Sequence, residues 1–379
     1  MFALGFRPFY LLAALFAALS LPFWVFEHLG GMPLFGGYLV GVLWHAHEMV
    51  FGFAVAVIAG FLFTATRSWT GLDTPSGAPL TALAALWLAG RVLVITGPGP
   101  IAAVVDASFL PIVAFALWLP LRRARSPNQF FVGILLGFAV LNIMFHVAHL
   151  HRTDWPALSA VEGALAIVVL MVTIMGGRVV PAFTVNAIPT ARVRRYARLD
   201  QAAITTVILA MGAYLTAAMP VITAVLAFAA AIVNAARLVL WDPLATRRAP
   251  ILWILHVSYA WIPIGFALLG LGVLRGTELP VYAMHAFGVG AIGGMVIGMI
   301  TRTARGHTGR PLQAGAMEVS AYALVHLAAL LRVFAPIVWP SGYVVFVIGS
   351  TALWSLAFAI YAIVYFPILT RPRVDGKPG

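Results

Sequence analysis

The feature that most constrains this chain is the recurrence of apolar segments about 20 residues long, each able to cross roughly 30 Å of hydrocarbon at about 1.5 Å per helical residue. Twelve can be traced, at 8–28, 43–65, 78–96, 100–120, 129–150, 157–177, 200–218, 220–240, 250–273, 280–301, 314–335 and 342–366, and the connections between them are rich in Pro, Gly and Arg. None alternates polar and apolar residues as a barrel strand does, and every backbone N–H and C=O in lipid needs an internal partner, so helices are the spanning form. The expected fold is all-α: a polytopic integral membrane protein of about 12 transmembrane helices, with residues 1–379 forming one transmembrane helical domain and no separate soluble domain. A chain with 63% apolar and 9% charged residues and a mean hydropathy of +1.01 lies far outside the soluble globular range. The first segment lacks a small-residue cleavage site and is expected to remain as a helix.

The net charge of +12 would suggest a nucleic-acid partner in a soluble protein, but here the basic residues sort by side. With the N-terminus inside, Arg7, Arg67, Arg122, Arg123, Arg125, Arg178, Arg192, Arg194, Arg195, Arg198, Arg247, Arg248, Arg302, Arg305, Arg310, Arg371, Arg373 and Lys377 fall on one face. The opposite loops hold Arg152 and Arg275. The positive-inside rule then places both termini in the cytoplasm, makes the basic run at 192–198 a topology signal, and leaves no nucleic-acid partner to expect. The chain has no cysteine, which excludes disulfides, thiolate metal sites, iron–sulfur clusters and covalent haem attachment; any haem would be held without covalent bonds.

The histidines segregate in the other direction. Threaded through this topology, His28, His45, His47, His146, His149, His151, His285 and His326 fall in the outer half of the membrane or at its outer surface, leaving His256 and His307 on the inner side. Imidazole at membrane depth needs a partner, and a helix-to-helix hydrogen bond would satisfy any one of these rings. A whole set collected at one level points instead to a metal, because neutral imidazole is the commonest metal ligand and intramembrane polar groups mark functional pathways.

Spacing sharpens the set. His146 and His149 share a helix face, with Asn142 one turn earlier on the same stripe. His45 and His47 are two apart, about 200° around an ideal helix, so only one is expected to point inward unless the helix starts irregularly near Gly41. Glu48, three residues after His45, is placed to orient that ring or to relay protons. Tyr322 lies one turn before His326 and could donate a proton there, while His256 suits a second haem or a bond to a neighbouring helix. Gly290, Gly294 and Gly298 strip one helix face bare, for packing or for the plane of a porphyrin. Asp106 and Glu162 join Glu48 as outer-half carboxylates, and Arg178 could pair with an anionic group. No repeat is evident between the two halves of the chain.

GFRPFY (Gly5 to Tyr10), WHAHEMVFGF (Trp44 to Phe53), GRVVPAF (Gly177 to Phe183), HAFGVGAIGGMVIGMITRTARGHTGRPL (His285 to Leu312) and the histidine of ALVHLAALLRV (His326) together resemble the NnrS family of bacterial inner-membrane proteins, over nearly the whole chain. The resemblance implies a twelve-helix protein of the bacterial inner membrane, carrying haem and copper and tied to nitric oxide metabolism and protection from nitrosative stress. It leaves open which histidine binds which metal. By position, the metal ligands expected are His45, His47, His146, His149, His285 and His326. The cofactor-binding residues expected are His45, His47, His285, His326, His256 and Arg178, with Glu48 and Tyr322 as catalytic groups. The expected cofactors are a non-covalent b-type haem and copper, and the expected small-molecule partner is nitric oxide, reduced as in a nitric oxide reductase or only bound; an electron donor is not named by any motif. A secondary transporter or metal-ion carrier with a His-lined site, and a non-catalytic haem-binding sensor or scavenger, are the competing readings.

Overall fold

The computed structural model describes residues 1–31 and 37–376; Lys377, one of the basic residues assigned to the inner face, lies outside them. Among the described residues there is no strand, and twelve long helices follow one another: α1 (Phe6–Gly30), α2 (Gly41–Thr70), α3 (Ala78–Thr96), α4 (Gly99–Arg123), α5 (Phe130–His149), α6 (Ala157–Ala187), α7 (Ala197–Leu215), α8 (Pro220–Val239), α9 (Pro250–Arg275), α10 (Leu279–His307), α11 (Ala316–Val333) and α12 (Tyr343–Thr370). The protein is therefore an all-α, multi-pass membrane protein. Eleven of these helices are long and apolar enough to cross a membrane, and α7 is not among them. Its first five residues include Arg198, Asp200 and Gln201, which dilute its hydropathy although the helix forms where the sequence places it.

Helix starts follow the local chemistry. Pro sits in the first turn of α3, α4, α8, α9 and α10, where its missing N–H would have had no intrahelical partner anyway.

The chain divides into two compact units: Met1–Ala164 with Thr303–Pro311 and the stretch from Ala362 on, and Leu165–Arg302 with Leu312–Tyr361. In the first, the GFRPFY motif is a fastener. Arg7 is buried, and its Nη1 donates to the carbonyls of Leu369 and Arg371 at 2.8 and 2.7 Å, satisfying the open end of α12 with a cation at its negative pole. Gly5 stands so close to Phe63 that a Cβ would lie 2.5 Å from that residue's own.

In the second unit the GRVVPAF motif has a similar explanation. A Cβ on Gly177 would run into the Arg237 guanidinium, and one on Gly176 would lie 3.0 Å from the Tyr259 ring. The room so left lets Arg237 bond Asp200 through Nε at 2.7 Å, and the Thr173 carbonyl and Tyr259 hydroxyl at 2.8 Å each through Nη1. Tyr259 in turn donates to Asn234 at 2.6 Å.

Both units contain a helix interrupted by π-helical turns: Glu48–Ala54 in α2 and Ala286–Gly293 in α10. Each interruption begins on the residue after a histidine, and each helix carries the same pattern, His-x4-Gly-x7-Gly-x6-Arg: His47, Gly52, Gly60, Arg67, then His285, Gly290, Gly298, Arg305. The packing repeats as well. A Cβ on Gly52 would meet Phe16 of α1 at 3.1 Å, and one on Gly60 would meet Phe9 of α1 at 2.9 Å. Correspondingly, Gly290 is pressed against Trp261 of α9, and a Cβ on Gly298 would lie 2.9 Å from Leu255 of the same helix. The two helices thus share a local pattern of sequence and packing. The glycine stripe of α10 faces α9, with Ser258 and His326 against Gly294, so at these positions it serves helix packing.

Candidate metal centre

The first unit holds a buried polar cluster built from four helices and the loop before α2. Gly41 has φ +59°, so the chain enters α2 by a left-handed turn, and the two histidines that follow separate as their spacing requires. His47 is fully buried, whereas His45 stacks on Trp24 with ring centroids 4.3 Å apart and Trp24 stacks on His28 at 5.0 Å. Glu48 meets His47, its Oε1 lying 2.9 Å from His47 Nδ1. Adjacent residues diverge on an ideal α-helix, and this pair forms where α turns give way to π turns.

Across the hairpin from α3 to α4, Arg91 lies 3.1 Å through Nε from Glu48 Oε2 and pairs through Nη2 with Asp106 Oδ1. A Cβ on Gly52 would sit 3.0 Å from both Arg91 Nη1 and Glu48 Oε2, and one on Gly90 would sit 3.2 Å from Asp106 Oδ1. The glycines clear the volume that the charged groups fill. From α5, Asn142 Nδ2 donates to Asp106 Oδ2 at 2.8 Å, and His146 Nε2 lies 2.9 Å from the same oxygen. His47 Nε2 completes the ring, 2.9 Å from Asn142 Oδ1 and 3.3 Å from Asp106 Oδ2. Phe51 and Phe145 flank the His47 ring and keep water from it.

His146 Nδ1 contacts the hydroxyl of Tyr38 at 3.2 Å, and His149 donates through Nε2 to the Tyr38 carbonyl at 3.0 Å. Tyr38 therefore holds both histidines, but only His146 reaches the cluster. Burial in this loop pushes the Tyr38 phenol up to about 12, so it stays a hydroxyl that can give or take one hydrogen bond.

His47, Asp106 and His146 each offer one ligand atom, and these lie within 4.8 Å of one another, all buried. The set fits a metal for a specific reason. Both ring nitrogens of His47 face oxygen acceptors, Glu48 on one side and Asn142 with Asp106 on the other, yet a neutral imidazole has a single N–H. A proton on each nitrogen would satisfy both sides, and so would an N–H given to Glu48 with a cation bound between Nε2 and the oxygens beyond it. Two carboxylates against one guanidinium also leave the cluster one positive charge short. Two imidazoles and a carboxylate, with a carboxylate behind one imidazole, suit copper, zinc or iron.

The other expected site residues lie elsewhere. His326, Tyr322, His256, His285 and Arg178 all belong to the second unit. His326 accepts a hydrogen bond at Nδ1 from Trp261 at 3.2 Å, and its Nε2 is buried without a partner. Tyr322 is fully buried one turn away, edge-on to Trp253. His256 Nε2 lies 2.9 Å from the Thr184 hydroxyl, itself placed to donate to the Val180 carbonyl, and its Nδ1 is unpartnered. His285 donates through Nδ1 to the Val281 carbonyl at 2.8 Å, and Arg178 is exposed. The residues that sequence reasoning passed over are Arg91 and Tyr38, and it gave Asp106 no ligand role. A signal existed for two of them: opposite charges inside consecutive apolar segments, close to the short connection that joins them.

A family model described as NnrS protein matches residues 1–373 of the chain. Comparison with curated proteins returns no match.

Proposed function

The chain belongs to the NnrS family, and on that premise we propose that it is a haem- and copper-containing protein of the bacterial inner membrane that binds nitric oxide and reduces or otherwise detoxifies it. Copper is assigned to His47, His146 and Asp106; the observation that supports this is the convergence of their three buried ligand atoms within 4.8 Å of one another, with Glu48 behind His47. Glu48 holds the proton at His47 Nδ1 and so keeps the other nitrogen basic, as carboxylates behind metal-bound imidazoles do. Tyr38 decides which nitrogen of His146 is basic: a hydroxyl accepting from Nδ1 leaves Nε2 for the metal. Arg91 draws negative charge from both carboxylates and sets how much is left for the ion.

For a haem, the donor chemistry favours His256 over His326. With Thr184 donating to Val180, the His256 N–H goes to Thr184 and the Nδ1 lone pair is open, whereas Trp261 occupies the Nδ1 lone pair of His326 and leaves its N–H at Nε2. When bound, haem and copper supply ligation of nitric oxide and transfer of electrons. Purified protein should contain copper, show a Soret band that shifts on addition of nitric oxide, and form nitrous oxide with a chemical reductant. Copper should fall in His47→Ala and His146→Ala and persist in His45→Ala. A colourless, copper-free preparation that moves ions across vesicles would replace this reading with that of a carrier.

A further inference from the structure

Beyond the pattern shared by α2 and α10, the helix that follows each of them holds a buried arginine. Each π-interrupted helix is followed by a helix bearing an Arg-Val pair near its end, Arg91-Val92 in α3 and Arg332-Val333 in α11. In the first case the guanidinium is met by Glu48, which opens the π segment, and by Asp106 on the next helix. In the second case neither carboxylate has a counterpart: Ala286 opens the π segment, and α12, the next helix, contains no Asp or Glu.

Arg332 is nonetheless buried, 8% exposed, and among the described residues no carboxylate lies within 4.0 Å of it. Its Nη2 donates to the Tyr343 hydroxyl at 3.3 Å, its guanidinium lies 5.3 Å from the Tyr343 ring centroid, and its Nη1 has no hydrogen-bond partner among the described residues. Glu278 and Arg332 both act electrostatically on Tyr282, but Glu278 is exposed. A guanidinium held out of water with open N–H groups is costly unless an anion completes it, and its fork geometry suits a planar pair of oxygens.

We propose that Arg332, with Tyr343, is an anion site that takes a carboxylate or small planar oxyanion from outside the chain, in the counterion role that Glu48 and Asp106 fill for Arg91. Two sources have this chemistry: a free anion, or the carboxylate of a bound cofactor. The second rests on the haem reading above and the first does not.

The test uses the full chain in neutral detergent, as wild type, Arg332→Gln and Tyr343→Phe. Two quantities are read: the unfolding midpoint against sodium formate at constant ionic strength, and the amount of carboxylate-bearing cofactor released on denaturation. For a free anion, formate raises the wild-type midpoint saturably, Tyr343→Phe weakens the response severalfold, and Arg332→Gln weakens it by about tenfold or more. For a cofactor carboxylate, formate has no effect and cofactor content falls in Arg332→Gln and, less, in Tyr343→Phe. Folded Arg332→Gln protein equal to wild type in both readouts overturns the proposal. Should that variant not fold, Tyr343→Phe protein identical to wild type in both overturns it equally. Copper content at His47 and His146 is independent of all these outcomes, so failure here leaves the metal assignment standing.

Discussion

Replacing Arg91 by Met should be among the most damaging single changes in the first unit, and the reason can be isolated from its size. Met keeps the apolar stem and removes a guanidinium that meets Glu48 at 3.1 Å and pairs with Asp106, all three groups being buried. Breaking a buried ion pair from one side costs about 3–5 kcal/mol, because the partner stays behind uncompensated. At about 1.4 kcal/mol per tenfold, that lowers the folded-to-unfolded ratio more than a hundredfold. Asp106→Asn alone loses charge-assisted bonds to Asn142 and His146 as well as to Arg91, and is damaging in its own right. The double variant, however, no longer strands Asp106, so its cost should fall short of the sum by about 1–3 kcal/mol. Unfolding of the four proteins in mixed micelles with increasing dodecyl sulfate, followed by far-UV circular dichroism, gives the cycle directly. Costs that add to within about 0.5 kcal/mol would mean that Arg91 and Asp106 do not act as a pair, and the charge count offered for the metal would fall with them.

Other expectations follow from the same geometry. Gly177→Ala should destabilise by about 1–3 kcal/mol, since the new methyl displaces an Arg237 fork pinned by Asp200, Thr173 and Tyr259; an unchanged unfolding midpoint would contradict it. Gly52→Ala, whose Cβ would sit 3.0 Å from both Arg91 and Glu48, should lower copper content at a smaller cost in stability, measured by metal analysis of folded protein. The Tyr38 phenol is raised by burial to about 12, so the unfolded chain ionises it first, near pH 10. The stability it contributes is therefore complete below about pH 10 and is lost between about pH 10 and 12, and the advantage of wild type over Tyr38→Phe in unfolding midpoint should shrink across that interval.

The helices were legible because lipid leaves so few solutions for 20 consecutive apolar residues, and even α7 forms where its weaker pattern places it. His47 and His146 were legible as polar residues at the ends of such segments, and the separation of His45 from His47 followed from helix geometry alone. Asp106 was visible only as one carboxylate among three, because choosing it requires knowing that α4 faces both α2 and α5. Arginines in loops report topology, whereas one inside an apolar segment, as Arg91 is, reports a buried partner. On an ideal α-helix the spacing pairs Glu48 with His45; the wider local ladder brings it against His47. The pattern that α2 shares with α10 is faint in the sequence because α10 has the histidine, the glycines and the arginine but Ala286 where α2 has Glu48.

That wider ladder has a consequence for how α2 can change. A π turn accommodates one residue more than an α turn, so shortening Glu48–Ala54 by a single residue would rotate everything on one side by about 100° relative to the other. Gly52 and Gly60 would keep their seat on α1 only if His47 and Glu48 swung out of the cluster, or the reverse. The two ends of this helix thus hold their present faces at once only through a seam that a one-residue deletion would close, while a point substitution within it need not.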